Sequence, residues 1–182
     1  MNAARWVPWH RRPVAAAART IATWDATVRL PVRTHLLWLA QQITEARTTA
    51  RTARDQPQAL TRLPDVLDLD LAPQLHAEHM PPGAQQLAAA VHAARRAAAS
   101  PAAPRAVRRT LTRLADDLAQ AEELLEHACN DVRGADLRSA DLTYLYLSGL
   151  RWDESTRWPE QQREHIRALS DPVDGIRQIR DH

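Results

Sequence analysis

The chain has no lysine, no phenylalanine, one cysteine and four glycines among its 182 residues, and each shortage excludes something. A lone Cys129 has no partner for an internal disulfide, so a cross-linked secreted scaffold is excluded. Four scattered glycines cannot build a Gly-rich loop that cradles phosphate. No apolar run reaches the ~18 residues that a membrane-spanning helix needs. The run Val14–Ala18, after Arg11 and Arg12, is too short and too weakly apolar for a signal-peptide core. The expected location is therefore the cytoplasm. With no lysine, all 24 basic residues are arginine, and 22 acidic residues nearly cancel them. The resulting net charge of +2 gives no global field to draw the chain onto nucleic acid or membrane. The arginine bias reads as GC-rich coding.

What is present is helix-forming. Apolar residues make up 45% of the chain but lean on alanine, which makes thin helix seams because each buried methyl removes little surface from water. Leucine and six tryptophans are the larger anchors. Residues 1–13 read as an arm, broken by Pro8 and Pro13 and crowded with Trp6, Trp9, Arg11 and Arg12. A helical body spans 14–129. Its first helix is expected from Val14 to about Leu30, where Pro31 stops or kinks it. A second runs from Val32 to about Arg54, with Leu36, Leu39, Ile43, Ala46 and Ala50 on its apolar face.

A Pro-rich connection, about 55–83, follows. Within it, Val66–Leu71 alternates as a short strand or an irregular packed stretch, and helical turns are expected near 59–62 and 73–79. A third helix, 84–99, has the seam Leu87, Val91, Ala94 and Ala98. A fourth, 105–128, repeats Val107, Leu111, Leu114, Leu118, Ala121 and Leu125 with heptad spacing. The short link between them predicts an antiparallel hairpin. The fold class is therefore mainly α, with antiparallel helical hairpins or a bundle.

After the fourth helix the period changes to five. Asn130, Ala135, Ala140, Leu145 and Leu150 recur at that spacing, as do Val132, Leu137, Leu142, Leu147 and Trp152. The stretch reads NDVRG-ADLRS-ADLTY-LYLSG-LRW. Five suits neither the helical period nor the strand period. It suits a square solenoid in which each quintet forms one face.

These quintets resemble the pentapeptide-repeat family, whose units read Ala-Asp/Asn-Leu-X-X. The resemblance implies a short right-handed β-solenoid turn over 130–152. It makes Leu137, Leu142 and Leu147 the axial residues, with Ala135 and Ala140 as small partners, and Val132 and Trp152 at the ends. Leu145 departs from the pattern by putting a large residue in a small slot. A single turn needs caps, which the fourth helix and the segment to 169 would supply, with Trp152 and Trp158 as lids and a short helix after Pro159. Residues 170–182 are left as a tail. The quintets followed by R-W-x-x-x-T-R-W-P resemble the C-terminus of a group of uncharacterised actinobacterial proteins.

Candidate chemistry is sparse. His76 and His79, with Glu78 between them, have metal-ligand spacing on a helical turn, but no third ligand joins them, and no metal or cofactor is expected. Cys129 ends a helix, where the dipole disfavours a thiolate, and reads as a buried apolar residue. The carboxylates Asp116, Asp117, Glu122, Glu123 and Glu126 read as a solvated helix face. No catalytic constellation emerges.

Two basic features remain as contact surfaces. Arg95, Arg96, Arg105, Arg108 and Arg109 gather at the tip of the expected hairpin, and Trp6, Trp9, Arg11 and Arg12 mark the arm. The expectation is a non-enzymatic interaction or scaffold protein with a protein partner or self-association. The alternative is a nucleic-acid-associated regulator using the Arg tip and the Trp/Arg arm.

Overall fold

The computed structural model describes residues 12–55, 81–99 and 104–181. The chain is mainly helical. Helix α1 (Pro13–Ala22) precedes a single turn, α2 (Ala26–Arg29), and a 3-10 turn (Leu30–Val32) that leads into α3 (Arg33–Asp55). Helices α4 (Pro82–Ala99) and α5 (Pro104–Asn130) complete the helical part. No helix among the described residues is long and apolar enough to cross a membrane.

The first helix is shorter than its periodicity predicts. It ends at Ala22, with Thr23 Oγ1 donating to the Thr20 carbonyl at 2.7 Å. Asp25 then starts α2 by accepting from the Thr27 amide at 2.9 Å, an N-cap that diverts the chain before Pro31 is reached. Helix α3 buries Leu36, Leu39, Ile43, Ala46 and Ala50, the face read from its spacing. Helix α4 buries Leu87, Val91 and Ala94, and α5 buries Leu111, Leu114, Leu118, Ala121 and Leu125. The side chains of Val107 and Ala98 lie outside the described part.

Helices α4 and α5 are not each other's main partners, as the hairpin reading expected. Both pack chiefly on α1 and α3, which lie between them. Besides Leu87 and Val91, α4 offers mainly alanine, so the leucine face of α5 buries more against Val14, Ile21, Leu36, Leu39 and Ile43. One polar anchor fixes this arrangement. Buried Asp117 of α5 accepts from the Val14 and Ala15 amides at 3.2 and 2.9 Å, capping α1 from another helix. Asp117 therefore does not sit on a solvated face.

After α5 the chain turns at 133–134, 138–139, 143–144 and 148–149, once every five residues. Each Asp of the repeat closes a local turn onto the amide two residues on. Asp131 accepts from Arg133 N at 3.0 Å, Asp136 from Arg138 N at 3.3 Å, and Asp141 from Thr143 N at 2.9 Å. The chain then returns over its own start. Arg151 bridges Asp131 and Arg157 bridges Asp136, both in parallel. Val132, Leu137 and Leu142 are buried beneath, while Ala135 and Ala140 are partly buried. Leu147, expected on the axis, is only partly buried, and Leu150 is fully buried in its place.

The last part departs most from expectation. Helix α6 (Glu160–Ala168) follows Pro159 as read, and Trp152 and Trp158 are buried edge-to-face with centroids 5.9 Å apart. The tail, however, is a hairpin. Strand β1 (Arg151–Trp152) pairs antiparallel with β3 (Ile176–Ile179), which pairs antiparallel with β2 (Ser170–Val173). Its turn is Asp174-Gly175, with φ of 47° and 81°, the two-residue chemistry that a right-twisted hairpin favours. Ile179 is buried against the repeat, and its amide and carbonyl bond Leu150 O and Gly149 N at 3.0 and 2.8 Å.

Candidate functional site

Arg29 and Arg33 leave the α2–α3 corner and meet the C-terminus of α5, where unpaired carbonyls gather negative partial charge. Arg29 donates to Ala128 O at 2.5 Å and Arg33 Nε to Cys129 O at 2.7 Å. Arg33 reaches further, to Asn130 Oδ1 at 2.9 Å, Tyr146 O at 2.6 Å and Ser148 O at 2.7 Å. One buried guanidinium thus joins the helices to the five-residue repeat. Burial is the main influence lowering the pKa of both arginines. Cys129, buried beside them, has its thiol pushed up to about 11 by the same loss of solvent, which leaves it an inert apolar group as its helix-end position implied. Sequence reasoning missed these arginines because nothing local separates Arg29 and Arg33 from the other basic residues.

Two depressions flank this junction. The more polar, of ≈ 580 Å³, is lined by Gln120, Glu123, Glu126, His127, Asp131, Arg133 and Arg151 among others. Its charges are mostly matched internally. Arg133 pairs with Asp131 at 2.6 Å, Arg151 with Glu126 at 2.9 Å, and His127 Nδ1 lies 3.5 Å from Asp131. For Asp131 burial raises the pKa, but the Arg133 bonds outweigh it and the net direction is down. Asp136, held chiefly by the Arg138 side chain, falls to about 2. Among the described residues no group of three or more His, Cys, Asp or Glu is placed to hold a metal ion.

The second depression, of ≈ 370 Å³, is apolar. Leu142, Leu145 and Leu147 of the repeat form one side, and Ile166 and Leu169 of the α6 end form the other. Tyr146 lies at its edge, half exposed, with the Arg33 guanidinium 5.3 Å from its ring centre. Tyr144, two residues before, is fully exposed. Surface apolar groups gathered in this way mark contact sites, and tyrosine is enriched in them. Alternation of Leu and Tyr in residues 144–147 was the available sequence signal.

The residues singled out from sequence do not converge. Trp6, Trp9, Arg11, His76, Glu78 and His79 lie outside the described residues, as do the side chains of Arg105 and Arg108 and the turns and strand expected within 56–80. Arg95 is not a free tip, because it lies 3.8 Å from Glu45 of α3. Arg12 donates to Gln120 at 3.0 Å. Arg96 and Arg109 are exposed. Comparison with family models, with curated proteins and with solved structures finds no match to this chain.

Proposed function

We propose that the chain is a non-enzymatic interaction or scaffold protein of the cytoplasm, and that residues 130–152 form a single coil of the pentapeptide-repeat kind. Turns every five residues support the coil, as does burial of Val132, Leu137 and Leu142 at that spacing. So do the parallel bridges where the chain passes over its own start. The observation that carries the interaction role is the apolar depression between the repeat and α6, with Tyr144 and Tyr146 exposed beside it. The polar depression is occupied largely by its own ion pairs, which favours contact over chemistry.

The test is capture. The full chain, fixed on a resin through its C-terminus, is exposed to native extract and mildly cross-linked. One protein recovered in near-stoichiometric amount, identified by mass spectrometry, is expected. Recovery of nothing above a scrambled-surface control removes the reading. The alternative, a nucleic-acid regulator, rests on Arg96 and Arg109 among the described side chains, since Arg12 and Arg95 are engaged. Failure to bind generic duplex and single strands at low salt ends it.

A further inference from the structure

The repeat is covered unevenly. On its first two faces the chain stacks on itself. Val132 N donates to Arg151 O at 2.9 Å, Leu137 N to Arg157 O at 2.7 Å, and Arg157 N back to Ala135 O at 2.9 Å. The chain then leaves through Pro159 into α6. The next equivalents of Val132 and Leu137 are Leu142 and Leu147. Their amides have no acceptor among the described residues, and the apolar depression of ≈ 370 Å³ opens beside them. Gln162 Oε1, in the α6 wall, is buried without a partner among the described residues.

The corner between those two faces is strained. Tyr144 has φ 63°, where the corresponding corners at Gly134 and Gly149 have φ 70° and 78°. A bulky residue in the left-handed region costs stability, and such strain concentrates at functional positions. Its ring is fully exposed and repays nothing by packing within the chain.

We propose that an extended segment of a partner protein lies in this depression along residues 141–147, continuing the ladder that residues 151–157 begin. The proposal rests on the interaction reading above and names its surface. Main-chain carbonyls of the segment accept from Leu142 N and Leu147 N, and one aliphatic side chain enters between Leu142, Leu147 and Ile166. The segment spans two faces, so it bends where Tyr144 stands and carries glycine or asparagine at that bend. Its ring then packs on the bound chain. A second copy of this protein is a poorer occupant. The outer sheet edge among the described residues is β2, where Pro172 lacks the amide a ladder requires.

The test uses the full chain and a displayed library of random peptides two quintets long, followed by two-dimensional amide spectra of the labelled protein with each synthetic winner. Expected winners contain an aliphatic residue and a central Gly or Asn, and they shift and protect the Leu142 and Leu147 amides. Binding falls about tenfold in Tyr144→Gly and about a hundredfold in Leu147→Arg. Tyr144→Gly relieves strain and so keeps the comparison valid should Leu147→Arg fold poorly. The proposal is overturned if no peptide is enriched, if winners bind without moving those amides, or if the amides shift with protein concentration alone, which assigns the face to a second copy. A captured partner that binds Leu147→Arg undiminished leaves the interaction reading standing and removes this groove from it.

Discussion

Arg33 Nη2 donates to the Ser148 carbonyl at 2.7 Å, joining the first turn of α3 to the end of the repeat across 115 positions of sequence. The same side chain also serves Cys129 O, Tyr146 O and Asn130 Oδ1, so its loss strips partners from four acceptors at once.

Arg33→Leu is expected to cost about 1–3 kcal/mol, the range for leaving buried hydrogen-bonding groups unpaired, because its acceptors are neutral carbonyl and amide oxygens. Arg33→Lys should recover only part, because an ammonium has no planar fork to spread over several carbonyls. Urea unfolding followed by tryptophan fluorescence measures it. A loss below about 1 kcal/mol would show that solvent replaces these contacts easily.

Asp117 bears on the other end of the bundle. Asp117→Ala leaves the Val14 and Ala15 amides without their acceptor and is expected to cost about 1–3 kcal/mol. Asp117→Asn keeps an oxygen in place and should cost less. Equal losses for the two would mean that charge, and not acceptance, is what α1 requires.

Gly83 in the first turn of α4 faces Trp24. A Cβ added there would come within 2.5 Å of Trp24 Cζ2, so Gly83→Ala is expected to destabilise by about 1–3 kcal/mol although alanine is the better helix former. Combining it with Trp24→Leu should abolish most of the penalty. Thermal melts of the four proteins complete the cycle, and additive losses would count against direct contact.

His35 sets a pH dependence. It is 9% exposed, and neither ring nitrogen has a hydrogen-bond partner among the described residues. Burial lowers its pKa from the ordinary 6.5, so the unfolded chain takes up the proton more readily. Its contribution is complete above 6.5 and is lost as pH falls from there toward the folded value. The urea midpoint should drop between about pH 7.5 and about pH 5.5, and His35→Phe should flatten that drop. An unchanged slope in the variant would assign the dependence elsewhere.

Much of the helical part was legible. The seam of α3 is the buried face because Leu36, Leu39 and Ile43 recur at helical spacing, and local periodicity reports directly which side of a helix avoids water. The α1 break was hidden, since Asp25 is a cap only once the chain on both sides has chosen its direction. The hairpin of 170–179 was missed despite the Asp174-Gly175 signal, because its strands are short and mostly polar. Leu147 and Leu150 exchanged roles because spacing alone cannot tell which residue the returning strand β3 will cover.

The sequence by itself determined the helical seams, the change of period after α5, and the burial of the Cys129 thiol and of Trp152 and Trp158. These follow from local repetition and from side-chain polarity, which need no knowledge of distant neighbours. Only the tertiary structure decided that α1 and α3 separate α4 from α5, that Asp117 and Arg33 are internal anchors, and that Leu142 and Leu147 border an open groove. Those features join residues about a hundred positions apart or depend on where the chain leaves the repeat. A charged residue becomes an anchor only through the unpaired backbone groups that folding brings to it.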